Sequence, residues 1–585
     1  MSSSSGSESA AQAVVRSPGR KKKTEVQNAG ADDDGWSREQ WAAGYRSQHR
    51  EFSYSIDADD ESHVCGRIPD DIAGIYYRNG PGRFEVGGEF FAHPFDGDGY
   101  VLKVEIGHAT STSGGDDSGD DDRRVEVVSK YIRTSGYEEE TRAQRILFRN
   151  TFGTQRSGGW LANALDLTQK NVANTGLVYW GSKLLALWEA SQPYELQPKT
   201  LETIGVSDLG GLLKVGMPFA TGIAAFDEAI NAFGMAGDPL TAHPHVEIRE
   251  GESDRLVTFG YQVAPDAQAM NLATTFTFYE FDTDFALVTA PIKEKLEGFA
   301  FVHDFCFTAR YYIVFQNPVG IDMVPFIAGA KCPGECLQYD PSGNTIVHLI
   351  PRPGSGAKRM QFAVDACFVF HHANAYDDDD GSVVIDCVRL PEMVDFAEIG
   401  GAGVGATKTG DAGASQDRPA FLDVDFSRTP VNQLYRYRLD LARESASGGL
   451  VSPKVIEFPT VNGAYFGRKH RFVYAGAASH PVKNAPLQTW SKMDVASGEL
   501  VASYAPGRHF FAGEPEFVAR ADSSAEDDGY LVGLFFNGKT EVTELHIVDA
   551  LVMTEPIAII KLKHHVPYGL HGTFVSTTTP SVTTM

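Results

Sequence analysis

The chain has 585 residues, 42% of them hydrophobic and 11% aromatic, and a formal net charge of −26. That length and apolar content allow a large buried core. The acidic balance excludes a nucleic-acid partner, whose phosphates need a basic footprint, and an electrostatic dock on anionic lipid.

Residues 1–38 are rich in Ser, Gly and charge and are expected to form a disordered tail ahead of a single domain over 39–585. The tail lacks the charged-then-apolar order of a secretory leader, so a cytoplasmic protein is expected, and the basic run Arg20–Lys23 reads as a solvated patch. Two low-complexity stretches, Ala109–Asp122 and Gly400–Gln416, read as flexible surface inserts near 108–122 and 400–416, because loop closure costs little more as a loop lengthens. Leu161–Ala173 and Phe226–Ala236 are the best helical windows. Elsewhere short β-rich runs recur between Gly, Pro, Asn and Asp turns: RLVTFGYQV, TFTFYEFDTD, ARYYIVFQ, NTIVHLIP, SVVIDCVRL, RFVYAGA, YLVGLFF and TELHIVDA. Many short strands at fairly even spacing over more than 500 residues predict an all-β propeller rather than a sandwich. No stretch reaches the roughly 18 apolar residues of a membrane span; Val215–Phe226 allows at most weak peripheral membrane contact. Six cysteines are too few for a disulfide framework, and CPGEC has no second pair to complete a zinc site, so all six read as reduced thiols.

Four of the 17 histidines sit singly in apolar, strand-like segments: His243 in LTAHPHVE, His303 in FVHDFCF, His371 in FVFHHANAY and His571 in VPYGLHGTFV, 60, 68 and 200 residues apart. No helical i, i+4 pair is present, but strands of different propeller blades converge on one axis, so such ligands can meet there. Taken singly, each is weak evidence, since a lone histidine on an apolar strand is more often a hydrogen-bonded core residue than a ligand. His93, in AHPFDGDG, shares the Ala-His-Pro tripeptide with His243 and shows that the tripeptide alone does not discriminate.

The blocks GIYYRNGPGRF, FDGDGYV, LLALWEASQPYEL, LTAHPHVE, FVHDF, FHHANAY, IEFPTVN, GEPEFV, EDDGYLVGLFF and VPYGLHGTF, taken in that order between about Pro69 and Val575, resemble the carotenoid cleavage dioxygenase superfamily. The resemblance implies a seven-bladed propeller under a helical and loop dome. It also implies one Fe(II) per chain held by His243, His303, His371 and His571, with dioxygen as co-substrate. Four neutral imidazoles suit a borderline divalent metal and leave two octahedral positions open. Glu189, Glu457 and Glu514 match the glutamates that orient histidines in the family, on His303, His371 and His571 respectively; Glu247 has no counterpart. Tyr100 and Lys130 match the pair that holds a substrate 4′-hydroxyl in stilbene-cleaving members, where an ammonium favours the phenolate. The reading is therefore an alkene-cleaving dioxygenase acting on a small hydrophobic aromatic substrate, a 4′-hydroxystilbene such as resveratrol. A carotenoid or apocarotenoid substrate stands as the alternative, and a metal-free binding scaffold as the reading from another class.

Overall fold

The computed structural model describes residues 35–577, apart from 108–122, 215, 217–236, 267–270, 395–418, 481 and 522. Both expected inserts, the helical window Phe226–Ala236 and most of the apolar stretch Val215–Phe226 lie outside these residues, as does most of the expected N-terminal tail. The tail's last four residues are structured. The Ser37 hydroxyl accepts from the Gln40 N–H and caps a helix over Arg38–Ala43, while Trp36 packs edge-on against Trp41 and Phe426. An N-cap and a buried aromatic contact hold a segment that composition alone marks as unfolded.

Antiparallel sheets dominate, and every β-rich run named above is a strand. Four- to six-stranded sheets account for five blades. A seven-stranded sheet supplies two more. Its long strand Ser445–Thr460 pairs through Val455 with Gln433–Asp440, and from Ile456 onward with Phe472–Ala478. One strand thus closes one blade and opens the next, giving seven. The ring is tied at both chain ends: C-terminal Gly572–Ser576 joins Gly74–Arg78 of the first blade, and N-terminal Val64–Gly66 joins Pro556–Lys561 of the last. Pairing both ends removes the open edges where two blades would otherwise part. Each blade contributes its own apolar layer, such as Val257, Phe259, Phe276, Phe278 and Tyr312 around the third and fourth, and the burial of these layers holds neighbouring blades together.

Helix is scarce. The window Leu161–Ala173 yields a single helical turn, Gly159–Asn163. The Asn163 amide bonds back to the carbonyls of Arg156 and Gly159, and Leu165 and Ala173 take left-handed backbone angles that a helix does not allow. Among the described residues no helix is long and apolar enough to cross a membrane.

Candidate metal centre

The seven blades deliver seven residues to the hub. His243 lies just before the edge strand His245–Glu247, His303 before Cys306–Phe307, His371 within Phe368–Asp377, and His571 before Gly572–Ser576. At His371 the strand register shifts on both sides of His372; such an irregularity re-aims a side chain that strict alternation would turn away. One ring nitrogen from each of the four histidines falls within 4.8 Å of the others. The remaining three blades supply carboxylates. Glu189 Oε1 lies 3.1 Å from His303 Nδ1, Glu457 Oε2 lies 2.6 Å from His371 Nδ1, and Glu514 Oε1 lies 2.9 Å from His571 Nδ1. At His371 and His571 the carboxylate accepts from Nδ1–H, which fixes the tautomer and leaves the Nε2 lone pair facing the hub. Among the described residues His243 has no such carboxylate.

The electrostatics favour a cation at the hub. Burial, then the neighbouring rings, hold His243 and His571 well below the ordinary imidazole value, so both are neutral donors. Burial also opposes a charge on His371, but the Glu457 carboxylate outweighs it and holds that ring above its ordinary value. The Nε2 of His371 is buried without a hydrogen-bond partner, and His243 Nε2 sits 2.7 Å from His303 Nε2. Inward-facing imidazole nitrogens crowded together, one of them orphaned, fit the ferrous ion that the sequence motifs imply, because a divalent cation satisfies the lone pairs that otherwise oppose one another.

Phe458 stands at this hub in a left-handed conformation, φ 53°, with its N–H on Glu457 Oε2 at 2.7 Å and its ring 5.3 Å from that of His571. Such a conformation is costly for a bulky residue and persists where its surroundings over-determine it.

Three supporting residues lay inside the sequence blocks without being singled out. Arg78, 2% exposed, donates to Glu514 at 2.6 Å. Asp304, next to His303, accepts from the His372 N–H at 2.7 Å and lies 3.0 Å from His245 Nε2. Glu516 follows two residues after Glu514. The local signals were an arginine within GIYYRNG and acids within FVHDF and GEPEF; the partner of Arg78 is 436 residues away and those of Asp304 are 59 and 68. Glu247 instead grips Arg352 through both oxygens, at 2.7 Å each, and His93 Nδ1 accepts the Phe95 N–H.

The structure does not bring Tyr100 and Lys130 together. Tyr100 pairs across its hairpin with Tyr131, and Lys130 with Val101. Directly opposed residues share a face and adjacent ones alternate, so the two side chains leave opposite faces of the sheet. The Tyr100 hydroxyl donates to the Arg50 carbonyl and lies 2.8 Å from the Ser129 hydroxyl, while Lys130 Nζ lies 3.9 Å from Glu202. Neither residue lines a cavity at the hub.

Two cavities meet the cluster. An apolar one of about 370 Å³ is lined by His303, His371 and His571 together with Phe95, Phe152, Phe368, Phe370, Phe421 and Phe458. A polar one of about 460 Å³ touches His243, His371 and His571.

A seven-bladed propeller gathering four histidines beside an apolar cavity defines a metal-dependent oxygenase. The family model described as retinal pigment epithelial membrane protein matches residues 47–576, and the chain belongs to that family, the carotenoid cleavage dioxygenases. It is 38% identical over 550 residues to apocarotenoid-15,15′-oxygenase of Synechocystis, covering 93% of this chain and 97% of that protein. It is 28% identical over 543 residues to resveratrol cleavage oxygenase 1 of Aspergillus fumigatus, covering 88% and 91%. The solved cobalt-substituted Synechocystis apocarotenoid oxygenase superposes with a TM-score of 0.78 at 36% identity, covering 93% of this chain and 100% of that one.

Proposed function

We propose that this oxygenase cleaves a double bond of an apocarotenoid, a long, largely hydrocarbon polyene, rather than that of a hydroxystilbene. The observation that carries the reading is the lining of the apolar cavity. No lysine, arginine or aspartate stands among its described residues, and its glutamates, Glu189 and Glu457, are those beside His303 and His371. A phenolate in such a cavity lacks a cationic partner and is costly to desolvate, whereas a polyene asks only for apolar walls. The relative whose name specifies apocarotenoids shares more sequence than the one whose name specifies resveratrol.

Iron bound by the four histidines supplies activation of dioxygen next to the alkene. The chain's own residues do the rest. Phe368 and Phe370 present flat aromatic faces to the chain of double bonds, with Phe370 also stacked on His303 at 3.9 Å between ring centres. Glu189, Glu457 and Glu514 hold three imidazoles in one orientation. The apolar walls exclude water that would hydrate the reacting carbons.

Incubating iron-loaded protein with β-apocarotenals and with resveratrol, and resolving the aldehyde products by chromatography, tests the reading. Turnover of apocarotenals is expected, with Lys130→Ala retaining activity within about twofold. Faster turnover of resveratrol, abolished by Lys130→Ala, would restore the stilbene reading and overturn this one.

A further inference from the structure

The polar cavity has no evident part in handling an apolar substrate, yet its walls include His243, His371 and His571 and it shares His371, His571 and Phe458 with the substrate cavity. Glu514 and Glu516 stand two residues apart on its wall, on the same face of their segment. Glu514 is engaged by Arg78 and by His571. The Glu516 side chain has neither a hydrogen bond nor an ion pair among the described residues. Burial and the Glu514 charge, against the opposing pull of Arg78, favour the uncharged carboxyl at Glu516, so a cation that binds there sends its proton to water. The Nε2 atoms of His371 and His372, both on this wall, are buried without partners. Polar atoms without partners, leading to the ligand nitrogens, describe a place where a cation passes.

The geometry points to the polar cavity as the entry route for hydrated ferrous ion, with the Glu516 carboxyl as a contact on the way and His371 and His571 receiving the ion at the inner end. Away from the histidine cluster the apolar cavity is walled mostly by aromatic and aliphatic side chains, which replace little of the water around a hydrated divalent ion. The polar cavity offers carboxylate and imidazole ligands in sequence, as iron(II) exchanges water for protein donors. Substrate and metal would then reach one centre by separate doors. The inference rests on the four histidines being the iron site.

The test mixes metal-free full-length protein with Fe(II) without oxygen, quenches with a chelator at intervals, and counts bound iron. Glu516→Gln removes the ionisable carboxyl and keeps the shape. Ala519→Trp places a bulky ring at an exposed wall position of the same cavity, and Ala519→Ser is its size control. Uptake about tenfold slower in Ala519→Trp and several-fold slower in Glu516→Gln is expected, on the scale by which charged clefts raise local ion concentration. The final content should stay near one iron per chain, Ala519→Ser should match wild type, and apocarotenal added beforehand should leave the rate unchanged. Wild-type uptake rates in both Glu516→Gln and Ala519→Trp would overturn the route, as would uptake blocked by apocarotenal or a lower final content at an unchanged rate in Glu516→Gln. Wild-type protein that takes up no iron would instead overturn the histidine centre itself.

Discussion

Replacing Glu457 with glutamine isolates what a carboxylate contributes to this centre. Glu457 Oε2 accepts both from His371 Nδ1, at 2.6 Å, and from the Phe458 N–H, at 2.7 Å. The single carbonyl oxygen of glutamine can accept both bonds, so Glu457→Gln keeps the geometry and removes only the charge. That charge is what holds His371 above its ordinary value against burial, and an imidazole made less basic is a weaker metal donor. Loss of a carboxylate behind a ligating histidine costs about 10- to 100-fold in metal affinity, or about 1.4–2.7 kcal/mol. Competition against a fluorescent chelator with Co(II), read as a dissociation constant, measures it. Glu189→Gln, whose carboxylate sits farther off at 3.1 Å, is expected to lose less. Affinity in Glu457→Gln equal to wild type would refute the reasoning that this charge tunes the centre.

Arg352 ties together Glu247 and Glu280 at 5% side-chain exposure; Arg352→Met leaves Glu247 without that cation and is expected to cost about 3–5 kcal/mol in denaturant unfolding, partly recovered by adding Glu247→Gln. Burial holds His348, His564 and His565 near 4 and His93 near 3, below the ordinary 6.5. Between 6.5 and about 4 the unfolded chain therefore binds more protons than the folded one, and stability falls as pH falls, by up to about 1.4 kcal/mol per unit for each residue. Denaturant midpoints across that window should show this, and His564→Gln should flatten the slope.

The strands were legible because each is an apolar run closed by turn residues, and the order of short blocks carried the family. The ligand set depended on motif context: His93 and His243 share Ala-His-Pro, yet only His243 precedes the edge strand of its blade. Tyr100 and Lys130 were misplaced relative to one another for a reason intrinsic to β-structure. Facing has a period of two, so a one-residue difference in register reverses the face, and the pairing across Asp98–Gly107 and Arg124–Tyr131 is fixed by the fold rather than by local sequence. Arg78 and Asp304 were invisible as site residues because their roles arise only when blades pack, Asp304 between its two neighbouring blades and Arg78 on ring closure. The ion pair of Arg78 with Glu514 spans 436 residues, and no local pattern announces it.

The central claim is that four histidines from four blades hold one ferrous ion. Counting iron bound after anaerobic loading, in wild type and in His303→Ala, tests it most directly. The account predicts about one iron per wild-type chain and almost none in the variant, with both proteins equally folded by circular dichroism. Wild-type protein that binds no iron, or a His303→Ala chain that binds it as fully and as tightly, would contradict it.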